Sequence, residues 1–264
     1  MITFRHLGTC SGTEPEKNLH HNSFVMQVNG VNYWFDAGEN CAHYAHLSGI
    51  DVLNTKALFV SHTHIDHIGG MANLFHTMFK MIVRYNKRFI NEKLKVFIPS
   101  EDILECVKKL AFNNRSIWTP EYAFSFVEYN PMQDGVIFED ENVKITIVHN
   151  AHLYEDGSEG WHSFSYLIEA EGKKIVFSGD VKSSSELDSL IGDGCDLLLH
   201  ETGHHKVKDV IAYAVEKNVK SLRLVHHGRE VIDHTEECKA LLEEASKKYG
   251  IPMEIAFDLD VRTL

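Results

Sequence analysis

The sequence predicts a single α/β domain spanning 1–264. Strand-like and helix-like segments alternate through most of the 264 residues, and the chain has only five prolines. No Pro/Gly/Ser-rich or low-complexity stretch reads as a linker, and no repeat occurs at solenoid periods. At 30.1 kDa the chain is long enough to bury a sizeable core.

Met1 to Leu7 alternates like a first strand, and the small, polar stretch Gly8 to Pro15 after it reads as a loop. Ser23 to Val28 and Val31 to Phe35 flank Asn29-Gly30, a strong hairpin signal. A strand Ala57 to Val60 leads into His62, and Gly69-Gly70 then breaks the backbone. Met71, Leu74, Phe75, Met78 and Ile82 recur at helical spacing, with Lys80, Arg84 and Arg88 four apart on another, solvated face. Lys95 to Ile98 is a strand that Pro99 stops, and Glu101 to Leu110 is a helix. Strands are predicted at Ala123 to Tyr129, Val143 to Val148, Phe164 to Glu169, Lys174 to Phe177, Asp196 to Leu199 and Leu222 to Val225. Val207 to Lys217 is amphipathic, and Asp233 with Glu236 resembles a capping box for a helix that Gly250 ends. Met253 to Phe257 is expected to be a final edge strand.

Twenty-six Lys and Arg stand against 38 Asp and Glu, a formal charge of −12 that argues against a general nucleic-acid binder. The five cysteines are odd in number and form no Cys-x-x-Cys pair, which fits a reducing cytoplasm better than a disulfide framework. The start does not read as a signal peptide, and no apolar run is long enough to span a bilayer, so no membrane partner is expected. A homodimer is compatible with the composition.

Residues 62 to 67 read His62-Thr63-His64-Ile65-Asp66-His67, four metal-ligand side chains in six positions at a strand end. Imidazole and carboxylate suit zinc, iron and manganese, and such a cluster is costly to desolvate without a positive charge among them. The plainer alternative is a polar turn whose histidines happen to be neighbours. Asp36, Asp180 and His226 also follow apolar strands, the pattern of a site built along one edge of a sheet. Asp36, beside Gly38, is placed to orient a neighbouring ligand.

The His62–His67 motif, Phe35-Asp36-Ala37-Gly38-Glu39, Ser178-Gly179-Asp180 and the late His226 resemble the metallo-β-lactamase superfamily. Asp196-Leu197-Leu198-Leu199-His200-Glu201-Thr202 and Leu222-Arg223-Leu224-Val225-His226 are most similar to its ribonuclease Z and cyclic phosphodiesterase branch. The resemblance implies a four-layer αβ/βα sandwich, two mixed sheets flanked by helices, with two divalent metal ions per chain. Zinc is the default; manganese or iron would suit the same ligands. Carried over, His62, His64 and a later histidine hold the first metal, Asp66, His67 and His226 the second, and Asp180 bridges both. For the later histidine, His152 is preferred to His149 because the family's ligand sits in the loop beyond the strand. His227 and Arg229 would then support the ligands or face the substrate, and Asp66, besides ligating, would orient the attacking water. Glu201 and His204 are the implied proton-transfer pair, with His205 beside them; surface histidines are the alternative for both. His20 and His21 lie where the family has substrate-facing residues, although solvated loop histidines are the simpler reading.

The resemblance implies a metal-dependent hydrolase, most readily a phosphodiesterase. A ribonuclease Z that grips transfer RNA carries a long basic arm between its third histidine motif and the bridging Asp. Here that interval holds the acidic segment Tyr154 to Trp161 and one hairpin. A small cyclic or nucleotide phosphodiester is therefore preferred to tRNA 3′-processing. A diiron redox or oxygen-sensing protein is the reading from another class, but such proteins usually carry Glu where His64 stands.

Overall fold

The computed structural model describes residues 1–13, 16–112, 125–153 and 160–264. Its contacts divide the chain into two compact units, one formed by Met1–Gly8, His20–Met132 and Asp258–Leu264, the other by Thr9–Leu19 and Gln133–Phe257. Each unit contains one mixed seven-stranded sheet with helices.

The first unit contains β1 (Ile2–Gly8), β2 (Ser23–Val28), β3 (Val31–Phe35), β4 (Thr55–Phe59), β5 (Leu94–Phe97), β6 (Val127–Asn130) and the last strand, β14 (Val261–Thr263), in the order β14-β1-β2-β3-β4-β5-β6. Asn29 and Gly30 turn the β2–β3 hairpin with φ of 51° and 81°, the two left-handed residues a type I′ turn requires. From β3 to β6 the pairing is parallel. Side chains alternate across this sheet. Val25, Trp34, Leu58 and Val96 lie in register and share a core with Cys41 and Ala45 of α1 (Cys41–Leu47) and Leu74, Phe75 and Met78 of α3 (Met71–Tyr85), the short α2 (Ile65–Ile68) lying between these helices in the chain. One residue away along each strand, Phe24, Phe35, Phe59 and Phe97 form a stacked row with centroids 4.9, 5.2 and 5.0 Å apart. The helix α4 (Glu101–Phe112) adds Leu104, Ala111 and Phe112 to the core.

The second unit contains β7 (Gly135–Glu139), β8 (Val143–His149), β9 (Phe164–Ala170), β10 (Lys173–Phe177), β11 (Leu197–Thr202), β12 (Leu222–His227) and β13 (Met253–Ile255), ordered β13-β12-β11-β10-β9-β8-β7. β7 to β10 pair antiparallel and β10 to β13 parallel. Its core takes Leu187, Leu190 and Ile191 around α5 (Asp188–Ile191), Val207, Val210, Ile211 and Ala214 of α6 (Val207–Glu216), Val231 of α7 (Arg229–Asp233), and Cys238, Leu242 and Ala245 of α8 (Thr235–Tyr249). The parallel runs matter for chemistry. Within each unit, successive parallel strands end at the same edge, so Asp36 and His62 follow strand ends at one edge of the first sheet, and Asp180, Glu201 and His226 lie together at one edge of the second.

The fold class expected from the sequence is found, with local corrections. β7 was not anticipated, because Val136-Ile137-Phe138 sits on a short edge strand between turn-like residues. The Asp233/Glu236 capping box does not form: Asp233 ends α7, His234 is the residue before α8, and Thr235 Oγ1 donates instead to Val231 O at 2.7 Å. Arg88 lies beyond α3, which Asn86 terminates in the left-handed conformation. β13 is an edge strand but not the final one, since β14 follows and pairs with β1. Glu14 and Pro15 of the opening loop, Ala123 and Phe124 of the expected strand, and Tyr154 to Glu159 of the acidic segment lie outside the described residues. Among the described residues, no helix is long and apolar enough to cross a membrane.

Candidate metal centre

In the first unit the site grows from Asp36. The residue follows β3 with φ 51°, a left-handed conformation that costs a non-glycine residue about 1 kcal/mol or more. Its carboxylate is the reason the strain persists. Oδ1 accepts from Ser61 N at 2.7 Å, and Oδ2 accepts from Asn22 Nδ2 at 2.9 Å, Ser61 Oγ at 3.0 Å and His67 Nδ1 at 2.8 Å. With Nδ1–H committed to Asp36, His67 carries its lone pair on Nε2, which lies 3.5 Å from Asp66 Oδ2. His62 Nε2 and His64 Nδ1 lie 3.0 Å apart. Asp66 and His67 stand in the single turn of α2, and Gly70 follows because a Cβ there would come within 2.1 Å of Gly38 O. Asn22 and Ser61 were not singled out from the sequence; an Asn and a Ser at strand ends carry no signal until Asp36 is placed beside them.

In the second unit the centre is Asp180, just beyond β10. His226 Nδ1 lies 3.3 Å from its Oδ1, while His152 Nε2 and His204 Nδ1 lie 3.7 and 3.9 Å from its Oδ2. His226 is not past the end of its strand, as the sequence suggested, but inside β12. Val225 pairs with Glu201 and His227 with Thr202, leaving His226 as the extra residue of a bulge at φ 48°. A bulge re-aims one side chain, and here it separates two consecutive imidazoles. Gly203 makes room for the re-aimed ring, since a Cβ there would lie 2.7 Å from His226 Nδ1.

His227 takes the opposite role. Fully buried, its Nε2–H donates to Ala256 O at 2.7 Å and its Nδ1 lies 3.1 Å from Thr202 Oγ1, so neither nitrogen is left for a substrate. Burial lowers its pKa to about 4 and keeps it neutral. Arg229 Nη1 donates to Glu16 Oε1 at 2.6 Å and to Asp233 Oδ1 at 3.5 Å. His149 is bound to Asp134 through Nδ1 at 2.6 Å and through its backbone N–H at 2.7 Å, and its ring stacks on Trp161. His20 is held by Asp258 at 2.9 Å.

Glu201 is fully buried, with His204 around it: Nδ1 lies 3.0 Å from Oε1 and the backbone N–H donates to Oε2 at 2.8 Å. Burial alone would raise the Glu201 pKa, but hydrogen bonds from His204 and His226 outweigh it and hold the carboxyl below the usual range. The hydrogen bond to Glu201 raises the pKa of His204, whose side chain remains 46% exposed. An imidazole whose protonated form is favoured by a buried carboxylate at one end, with the rest of the ring reaching solvent, is suited to proton delivery. His205 Nε2 instead donates to Val181 O at 3.0 Å.

The donor chemistry fits divalent metal. His152 Nε2 and His226 Nδ1 lie 3.7 and 3.3 Å from the carboxylate of Asp180, and imidazole with carboxylate is the set that borderline cations prefer.

The chain is similar to known proteins along most of its length. Ribonuclease Z of Methanothermobacter thermautotrophicus is 22% identical over 98% of this chain and 94% of its own, and that of Saccharolobus solfataricus 26% over 90% and 93%. Among solved structures, the metallo-β-lactamase fold protein YhfI of Bacillus subtilis superposes with a TM-score of 0.74 at 17% identity, covering all of both chains. Human tRNase Z, short form, gives 0.69 at 16% identity over 99% and 98%. Fold and relatives together define a metallo-hydrolase of the metallo-β-lactamase superfamily, in its ribonuclease Z-like branch. Within that class the family described as anti-Pycsar protein Apyc1 matches residues 2–241, and the chain belongs to it.

Proposed function

We propose that this protein is a two-metal phosphodiesterase acting on a small cyclic or nucleotide phosphodiester. The observation that carries the reading is the convergence of His152, His204 and His226 on the single buried carboxylate of Asp180. In this reading His62, His64 and His152 hold one ion, Asp66, His67 and His226 the other, and Asp180 both. Zinc is the preferred occupant. A pair of such ions supplies a nucleophilic water near neutral pH and polarises a phosphoryl oxygen.

The chain's own residues do the rest. Asp36 fixes the tautomer of His67 through its 2.8 Å hydrogen bond, so that Nε2 is the ligating atom. Asp66 accepts a hydrogen bond from the attacking water and orients it. His204, kept protonated by Glu201, donates the proton that the leaving oxygen needs. The net charge of −12 and the acidic composition of residues 154–161 favour a small diester over transfer RNA. The single-domain reading of 1–264 is supported by one family match running through residues of both compact units. A cytoplasmic protein is in keeping with the cysteine usage.

The test is elemental analysis of protein purified without added metal, beside hydrolysis of bis(p-nitrophenyl) phosphate. About two zinc or manganese ions per chain with chelator-sensitive turnover is the expected result. Two irons, an oxygen-dependent optical spectrum and no turnover would overturn it.

A further inference from the structure

After Asp180 the chain enters a short 3-10 turn, Ser184–Leu187, through a capping box. The Ser183 hydroxyl accepts from Ser185 N at 3.3 Å, and Glu186 Oε2 accepts from Ser183 N at 3.1 Å. A capping box needs only one side-chain acceptor at this position, and Gln serves as well as Glu. Glu186 does more. Its Oε2 also accepts from Lys182 N at 2.8 Å, and its Oε1 accepts from Ala151 N at 2.7 Å, 35 positions away. Lys182 is two residues after Asp180, and Ala151 immediately precedes His152.

We infer that Glu186 is a positioning residue that sets His152 against Asp180, an inference resting on the reading of those two residues as metal ligands. All three donors are backbone N–H groups, so the carboxylate fixes the main chain of both loops and not merely a rotamer. The bonds are charge-assisted, and those from Ala151 and Lys182, at 2.7 and 2.8 Å, are short. The far side of the His152 loop is pinned independently: Asn150 Oδ1 accepts from His152 N at 3.2 Å, and Asn150 Nδ2 donates to Ser165 Oγ at 3.0 Å. Glu186 ties this loop directly to the segment after Asp180, while the Asn150 side reaches the segment before it through Ser165, whose Oγ donates to Ser178 O at 2.6 Å. The arrangement holds His152 Nε2 3.7 Å from Asp180 Oδ2, a separation at which both atoms can reach one ion.

The test compares Glu186→Ala, Glu186→Gln and Ser183→Ala by zinc competition against a chromophoric chelator and by the visible spectrum of cobalt-substituted protein. Thermal unfolding of the metal-free forms verifies that each variant is folded. Glu186→Gln retains one acceptor oxygen for the cap, and so keeps the experiment decisive where Glu186→Ala does not fold. The expected result is that both Glu186 variants hold at least one metal equivalent about 10- to 100-fold more weakly, with an altered cobalt spectrum. Ser183→Ala, which weakens the cap without touching the Ala151 tie, keeps the wild-type affinity. Wild-type affinity in Glu186→Gln, or an equal loss in Ser183→Ala, overturns the inference. A wild-type protein that takes up no metal overturns the ligand reading itself, a result distinct from either.

Discussion

His67 Nδ1 lies 2.8 Å from Asp36 Oδ2, and both side chains are fully buried. The pair explains how a strained residue persists at a strand end: four donors converge on one carboxylate, and the left-handed backbone of Asp36 is what presents it to them. Asp36→Asn keeps the shape but replaces an acceptor oxygen with an NH2 group facing donors. We predict a loss of about 1–3 kcal/mol in stability, read by urea unfolding of the metal-free protein. Metal affinity falls about 10- to 100-fold in the same variant. Unchanged values in both measurements would remove Asp36 from the role given to it.

His152 and His149 lie three residues apart with different surroundings. His152 faces Asp180, whereas His149 is tied to Asp134 and stacked on Trp161. His152→Ala is expected to lower metal occupancy far more than His149→Ala, measured by elemental analysis after dialysis. Equal occupancy in the two variants would sink the assignment.

His204 is assigned to leaving-group protonation, and its substitution should therefore depend on the leaving group. His204→Gln is expected to slow hydrolysis of an alkyl or nucleoside diester by about 10²- to 10⁴-fold. A p-nitrophenyl ester, whose leaving group needs no proton near neutral pH, should be affected much less. A uniform loss on both substrates would point to metal binding as the role of His204.

His200 is fully buried, with Nδ1–H donating to Glu201 O at 2.7 Å and Nε2 lying 2.9 Å from Ser184 Oγ. Burial lowers its pKa from 6.5 to about 4. The unfolded chain therefore takes up a proton between pH 6.5 and 4 that the folded chain does not, so stability falls as pH drops through that window. The contribution is about 1.4 kcal/mol per pH unit, roughly 3 kcal/mol in all. Urea midpoints between pH 4 and 8 should decline less steeply in His200→Gln than in the wild type. Parallel profiles would refute the buried neutral state.

Local chemistry accounts for the parts of the molecule that are legible in its sequence. The β2–β3 hairpin is readable to the residue because Asn29-Gly30 dictates its turn, and α6 because its apolar face has a clear helical period. The grouping of His62, His64, Asp66 and His67 is readable because it lies within six positions. What depends on register between distant strands is not. The alternation of Leu222, Leu224 and His226 singles out His226, yet the ring is aimed by a bulge that exists only because β12 slips one residue against β11. The ion pair of Arg229 with Glu16, more than two hundred residues earlier, has no signature in the sequence around either residue. The Asp233/Glu236 motif has the spacing of a cap, but a local alternative, the α7 turn, consumes Asp233 first.

The pairing of β1 with β14, in which Thr3 stands opposite Thr263, has a consequence for the life of the nascent chain. Until β14 has been synthesised, β1 can hold only its β2 neighbour in this sheet. Closing so long a stretch of polypeptide is entropically slow, and a waiting strand edge is a template for intermolecular pairing. Completion of this sheet therefore waits on residues 261–263, and in the interval before it the edge of β1 is open to pairing with other copies of the chain.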